Sequence, residues 1–275
     1  MREETIAGAN GQNLFVRSLT PPGKVRGVVV IVHGFNAHSG QYVWVAGQLA
    51  EDGLAVYALD LRGRGRSDGE RYFVERFSDY VNDVASLMAL VKSRVSGQPI
   101  FLLGHSAGGV VACLYCLERQ RDLAGLICES FAFQVPAPDI ALALLKGVSH
   151  LAPHAHVLQL KNEDFSRDPK VVQAMNEDPL IANESQSSNT VAEMARADER
   201  LGKEFPHITL PLLILHGTAD RATKPSGSRV FFARAGSADK TLKLYEGHFH
   251  DLLNDIGKET VMSDIKAWIG SRIAQ

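Results

Sequence analysis

Six short apolar runs, separated mostly by stretches long enough for a helix, are what most restrict the folds open to this chain. They lie at 28–32, 54–59, 100–103, 123–128, 212–215 and 242–245, are rich in β-branched and aliphatic residues, and are bounded by Gly or Pro. Runs this short and continuously apolar fit strands buried on both faces. Between 77 and 95, Phe77, Tyr80, Val81, Val84, Leu87, Met88, Val91 and Val95 recur at steps of three and four, the stripe of an amphipathic helix. Strands alternating with helices require right-handed crossovers, so the spacing predicts an α/β fold: a mostly parallel central sheet with helices on both faces. Ligands then belong at the carboxyl ends of the strands. The opening differs, because 5–7 and 14–18 flank Asn10-Gly11, a turn signal that predicts an antiparallel hairpin at the sheet's edge.

More than eighty residues separate the run ending near Cys128 from the one starting at Leu212, far beyond a single crossover helix. An insertion is expected, with a core at 1–132 and 207–275 and a helical cap at 133–206 over the carboxyl edge of the sheet. The first part of the insertion, 139–160, is apolar and carries His150, His154 and His156; the remainder is polar and helix-prone.

Composition narrows the function classes. Lys and Arg number 29 against 31 Asp and Glu, a net charge of −2 with no long run of one sign, so no nucleic-acid footprint is present. Cys113, Cys116 and Cys128 are too few for a disulfide framework, and the polar start lacks a secretory leader, so a cytoplasmic location is expected. The apolar stretches at 28–32, 140–145 and 210–215 fall far short of a membrane span, leaving peripheral contact through the cap as the membrane role to expect. The sequence does not indicate an oligomeric state.

Chemistry concentrates at Gly104-His105-Ser106-Ala107-Gly108, a GxSxG pattern set between a strand and the helix-prone 110–119. Small residues let the chain turn sharply, lifting the Ser106 hydroxyl out of the sheet while the next backbone N–H and the helix N-terminus face a developing oxyanion. A serine hydroxyl is a weak nucleophile until an imidazole takes its proton, and the imidazole needs an acid to fix its tautomer. In this strand-turn-helix class the order is Ser, acid, His. Asp220 follows the strand at 212–215, and His250 follows the one at 242–245. Both have rivals: Glu129 at the end of the preceding strand, and His248 two residues from His250. His216 reads as a buried histidine of the core or one behind the site. His33-Gly34-Phe35 ends another strand, where the Phe35 N–H would join that of Ala107 as an oxyanion donor.

Other features read as structural. Cys113-x-x-Cys116 lies within a helix and lacks a second ligand pair, so core packing is expected. The 62–66 segment Arg-Gly-Arg-Gly-Arg lacks the lysine and spacing of a phosphate loop. The three cap histidines read as solvated or cavity-lining.

Six ordered motifs give the chain a resemblance across nearly its whole length to the monoacylglycerol lipase and lysophospholipase group of the α/β-hydrolases, also grouped with serine aminopeptidase-like hydrolases. They are His33-Gly34 with His38-Ser39-Gly40 and Tyr42; 60–69, Asp-Leu-Arg-Gly-Arg-Gly-Arg-Ser-Asp-Gly; 104–109; Asp178-Pro179-Leu180; 216–221; and Tyr245-Glu246-Gly247 with His250. The resemblance implies a triad of Ser106, Asp220 and His250, oxyanion donors at Phe35 and Ala107, and a mobile apolar cap admitting an acyl chain. It implies cleavage of a small-molecule carboxylic ester, monoacylglycerol or another single-chain ester, through an acyl-enzyme and without metal or organic cofactor. Other substrates for the same triad are a lysophospholipid, a small or aromatic ester, a lactone and a peptide amide; a noncatalytic binding module is the reading outside enzymes. Positions that hold the glycerol headgroup in the animal enzymes carry Ala37, Gln41 and Leu253 here, and the usual Met after the nucleophile is Ala107. A site reading mainly the acyl side is therefore expected.

Overall fold

A computed structural model describes residues 1–135 and 146–273. The apolar stretch at 140–145 falls outside them, as does the 139 start of the apolar half of the insertion. Eight strands form one sheet in the order β1-β2-β4-β3-β5-β6-β9-β10, built from β1 (Arg2–Ala7), β2 (Asn13–Leu19), β3 (Gly27–Val32), β4 (Leu54–Leu59), β5 (Ile100–His105), β6 (Gly125–Glu129), β9 (Leu212–Gly217) and β10 (Lys240–Tyr245). The expected runs are all strands, and every pairing from β4 to β10 is parallel. The opening hairpin pairs β1 with β2 antiparallel, and β2 continues antiparallel onto β4. Asn10 and Gly11 at its tip take φ of 65° and 76°, the left-handed region that Asn and Gly reach at least cost.

Side-chain alternation divides the core in two. Val28, Val30 and Val32 of β3, with Ala55, Tyr57 and Leu59 of β4, face α2 (Phe77–Arg94) and α3 (Ala107–Arg119). Val29 and Ile31, with Leu54, Val56 and Ala58, face α1 (Val43–Glu51) and the C-terminal helix. The period of two along the central strands therefore serves both layers, which is why these runs carry no polar residue.

The stretch between β6 and β9 contributes α4 (Pro169–Glu177), α5 (Ser188–Glu204) and a small antiparallel pair, β7 (His156–Leu158) with β8 (Gln186–Ser187). Asp168 caps α4 by accepting from the Lys170 N–H at 2.9 Å, with Pro169 at the first helical position. Helix α5 packs on α2 and α3, and its Ala197 and Leu201, with Phe205 beyond its end, join the main core. Two helices complete the sheet's cover, α6 (Pro225–Arg234) and α7 (Lys258–Gly270).

From β3 the chain crosses to β4 on one side and later to β5 on the other. This order reversal leaves a crevice at the carboxyl ends of β3 and β5, where Phe35 and Ser106 emerge.

Candidate active site

Ser106 stands between β5 and α3 with φ of 55° and ψ of −121°, a conformation costly for a residue with a Cβ. Close packing holds it there. A Cβ on Gly108 would come within 2.2 Å of the Val32 carbonyl oxygen, and one on Gly34 within 2.7 Å of the Ser106 Cβ. Only glycines at these two positions let the β3 and β5 turns approach this closely.

Asp220 lies in the turn after β9. Its Oδ1 accepts from the N–H groups of Ala222 and Thr223 at 2.8 and 2.9 Å, which fixes the carboxylate plane. Oδ2 accepts from the Thr223 hydroxyl at 2.8 Å and lies 2.8 Å from His250 Nδ1 and 3.0 Å from His216 Nε2. Burial favours the neutral acid, but the charge of His250 and hydrogen bonds from both imidazoles outweigh it and hold Asp220 well below the carboxylate range. His216 is anchored on its other side, with Nδ1 2.7 Å from the Ser228 hydroxyl, and burial lowers its basicity despite the contact with Asp220.

His250 is fully buried, edge-on to Phe165 at 5.0 Å between ring centroids and tilted against His105 at 4.9 Å. With Nδ1 committed to Asp220, Nε2 has no hydrogen-bond partner among the described residues. The structure thus joins Asp220 to His250 and leaves the second imidazole nitrogen free, with no bond to the Ser106 hydroxyl. Ser106, Phe165 and Thr223 line one cavity of about 370 Å³, and Thr223 and Phe165 are themselves neighbours of His250. Phe35 and Ala107 line the same cavity, and neither backbone N–H has an acceptor among the described residues.

The rivals fall elsewhere. Glu129 is fully buried, and its Oε1 accepts from the Leu253 N–H at 3.1 Å. That bond draws the loop after β10 back across β9 toward β6, bringing His250 to the serine side of the sheet. His248 faces Asp255 at 3.9 Å. Cys113 and Cys116 are buried in the core, with Cys113 Sγ 3.7 Å from that of Cys128. Of the histidines between β6 and β9, His154 pairs with Glu70 at 2.7 Å, His156 meets the Ser185 carbonyl at 2.8 Å, and the Arg196 guanidinium lies 3.5 Å from His150.

The motif at 60–69 is a brace. Asp60 accepts from the Ser39 N–H at 2.6 Å and the Arg66 N–H at 2.8 Å, and Arg62 forks onto Asp83 at 2.8 and 2.5 Å. His38 Nε2 meets Asp178 at 2.8 Å, tying the loop after β3 to the 178–180 motif. Two groups near the site were not assembled by sequence reasoning, which weighed only Glu129 from among them. His105, Glu129 and Asp251 bring one polar atom each within 4.8 Å of one another, and the His105 ring lies against that of His250. Burial, followed by the charge of Asp251, pushes Glu129 well above the carboxylate range, and burial pushes Asp251 up to about 6. The β5–β6 register, which sets His105 opposite Glu129, is a signal for two of the three. The other is Asp198, whose placement in the cavity wall depends on how α5 docks.

Known proteins resemble this chain over nearly its whole length. The family model described as serine aminopeptidase, S33, matches residues 23–257. The monoacylglycerol lipase of Mycolicibacterium smegmatis is 34% identical over 279 residues, covering 98% of each chain. Human monoglyceride lipase is 33% identical over 274 residues, covering 98% of this chain and 90% of that one. The crystal structure of a monoacylglycerol lipase from Paleococcus ferrophilus superposes with a TM-score of 0.86 at 31% identity, covering 94% of this chain and 99% of that one.

Proposed function

This chain belongs to the serine aminopeptidase, S33, family, and on that premise we propose how its residues carry out catalysis. The protein is a serine ester hydrolase of monoacylglycerol-like substrates, as the relatives' activity and the α/β-hydrolase fold support. Ser106 is the nucleophile, His250 the proton carrier and Asp220 the acid that orients it. His250 Nε2 takes the proton of the Ser106 hydroxyl as its oxygen attacks the ester carbonyl. The N–H groups of Phe35 and Ala107 receive the oxyanion. His250 then protonates the leaving alcohol, and a water activated by the same nitrogen hydrolyses the acyl-enzyme.

The observation that carries this assignment is the Asp220–His250 pair. It commits Nδ1 to the carboxylate and leaves Nε2 without a partner among the described residues, next to Phe165 and Thr223 of the Ser106 cavity. The positions that clamp the headgroup in the animal enzymes carry no charge here, being Ala37, Gln41 and Leu253. Selectivity therefore falls to the acyl side, where an apolar wall distinguishes chains by only about 1–3 kcal/mol per methylene.

The segment 133–206 serves as the cap, and Leu151, 90% exposed, with Val148 and Val157 at 41% each, supports a peripheral lipid contact through it. No helix among the described residues is long and apolar enough to cross a membrane. Three unpaired cysteines support a cytoplasmic setting.

A p-nitrophenyl ester series from acetate to palmitate, with fluorophosphonate labelling, tests the assignment. Turnover with labelling at Ser106, both lost in Ser106→Ala, is expected. Labelling at another residue, or turnover surviving that substitution, would remove the triad as proposed.

A further inference from the structure

One wall of the Ser106 cavity is a stripe of α5 formed by Val191, Met194, Ala195 and Asp198, spaced so that they share a helix face. Three of the four suit an acyl chain; Asp198 does not. Its carboxyl has no hydrogen-bond or ion-pair partner among the described residues, and its Oδ1 is shut off from solvent. Burial, with the neighbouring Glu199 adding in the same direction, pushes this acid well above the carboxylate range. Asp198 is half-buried, and a carboxyl with one oxygen enclosed and unpaired is destabilising, whereas an aliphatic residue there would fill the same wall without that cost.

The placement of Asp198 along the cavity follows from the α3–α5 contact. Asp198 reaches the cavity from α5 and Ser106 from the turn between β5 and α3, so the carboxyl lines the space offered to the substrate without belonging to the turn that carries the serine.

We propose that Asp198 is a specificity residue that hydrogen-bonds a hydroxyl carried on the substrate chain, so that the cavity selects hydroxylated esters over plain alkyl ones. This rests on the ester-hydrolase reading above. A hydroxyl both donates and accepts, so it pairs with the carboxyl whether that group is protonated or ionised. A cationic chain would need the ionised form, which burial disfavours. A site holding a buried polar group rejects the analogue that leaves it unpaired.

The test compares p-nitrophenyl octanoate with its hydroxylated counterparts, moving the hydroxyl along the chain, in the unsubstituted enzyme, Asp198→Asn and Asp198→Leu. The unsubstituted enzyme is expected to favour one hydroxyl position by about 10- to 100-fold in kcat/KM. Asp198→Asn should keep part of that preference. Asp198→Leu should abolish it while raising kcat/KM for the plain ester. Equal turnover of plain and hydroxylated esters by the unsubstituted enzyme overturns the proposal without any variant, and a preference unchanged in Asp198→Leu does so too. Failure to cleave any ester would instead overturn the hydrolase reading, and this proposal with it.

Discussion

Arg64 and Glu184 form an ion pair with both side chains withdrawn from solvent, joining the loop after β4 to the segment before β8 across 120 positions of sequence. The guanidinium also meets Gln186 Oε1 at 2.5 Å and lies over the Phe35 ring at 4.3 Å. Glu184 Oε1 accepts the Asn36 N–H at 2.8 Å, and the Asn36 amide donates to Asn162 Oδ1 at 2.9 Å. The strand-end turn that presents the Phe35 N–H is thus fastened to the insertion by buried charge, and four predictions concern this brace and the site it supports.

Glu184→Ala leaves the Arg64 charge buried without its counterion and frees the Asn36 N–H. A loss of about 3–5 kcal/mol is expected, read as a lower urea midpoint with an unchanged slope. Arg64→Met combined with Glu184→Leu should recover most of it, because the double change removes both charges. A Glu184→Ala protein as stable as the unsubstituted one would show that the pair has no such role.

Asp220→Asn should lower kcat by about 10⁴-fold while leaving the fold intact, because an amide can hold the imidazole in the wrong tautomer. His250→Ala should be at least as damaging. His248→Ala should be far milder, since that ring faces Asp255. Steady-state kinetics on one p-nitrophenyl ester ranks all three, and a larger loss for His248→Ala would reverse the histidine assignment.

Phe35→Pro deletes a backbone donor that no side-chain change can reach. A fall of about 10²–10³ in kcat is expected if this N–H faces the oxyanion. Phe35→Leu, which keeps the N–H, serves as the control, and equal losses in the two variants would assign the effect to packing.

Asp251 and Glu129 bind protons more tightly in the folded chain than in the unfolded one, because burial disfavours their charged forms. Asp251 shifts from its ordinary value of 3.8 to about 6. The sign follows from proton counting: the folded chain holds the extra proton, so this contribution is fully present below about pH 4 and is lost as pH rises through 6. Glu129→Gln removes one of the two carboxyls while keeping an acceptor for the Leu253 N–H. Its stability relative to the unsubstituted protein should rise between about pH 4 and 7 by on the order of a few kcal/mol. Denaturation midpoints across that window measure the difference, and a pH-independent gap would contradict it.

The layered fold was legible from the chain alone because burial on both faces forces β3 and β4 to be apolar at every position, and the hairpin because Asn10-Gly11 meets a local backbone demand. The turn that presents Ser106 was legible for the same reason: a strand, a tight turn and a helix occupy consecutive residues around it. His250 could not be separated from His248 by local pattern, since both follow the same strand, and the choice needed either family resemblance or the sight of Asp220 bonded to one of them. Arg64 with Glu184, His105 with Glu129 and Asp251, and Asp198 in the cavity wall were decided by tertiary structure. Each depends on how segments distant in sequence dock. A charged residue reads in sequence as a solvated one until packing withdraws its water and selects its partner, or leaves it with none.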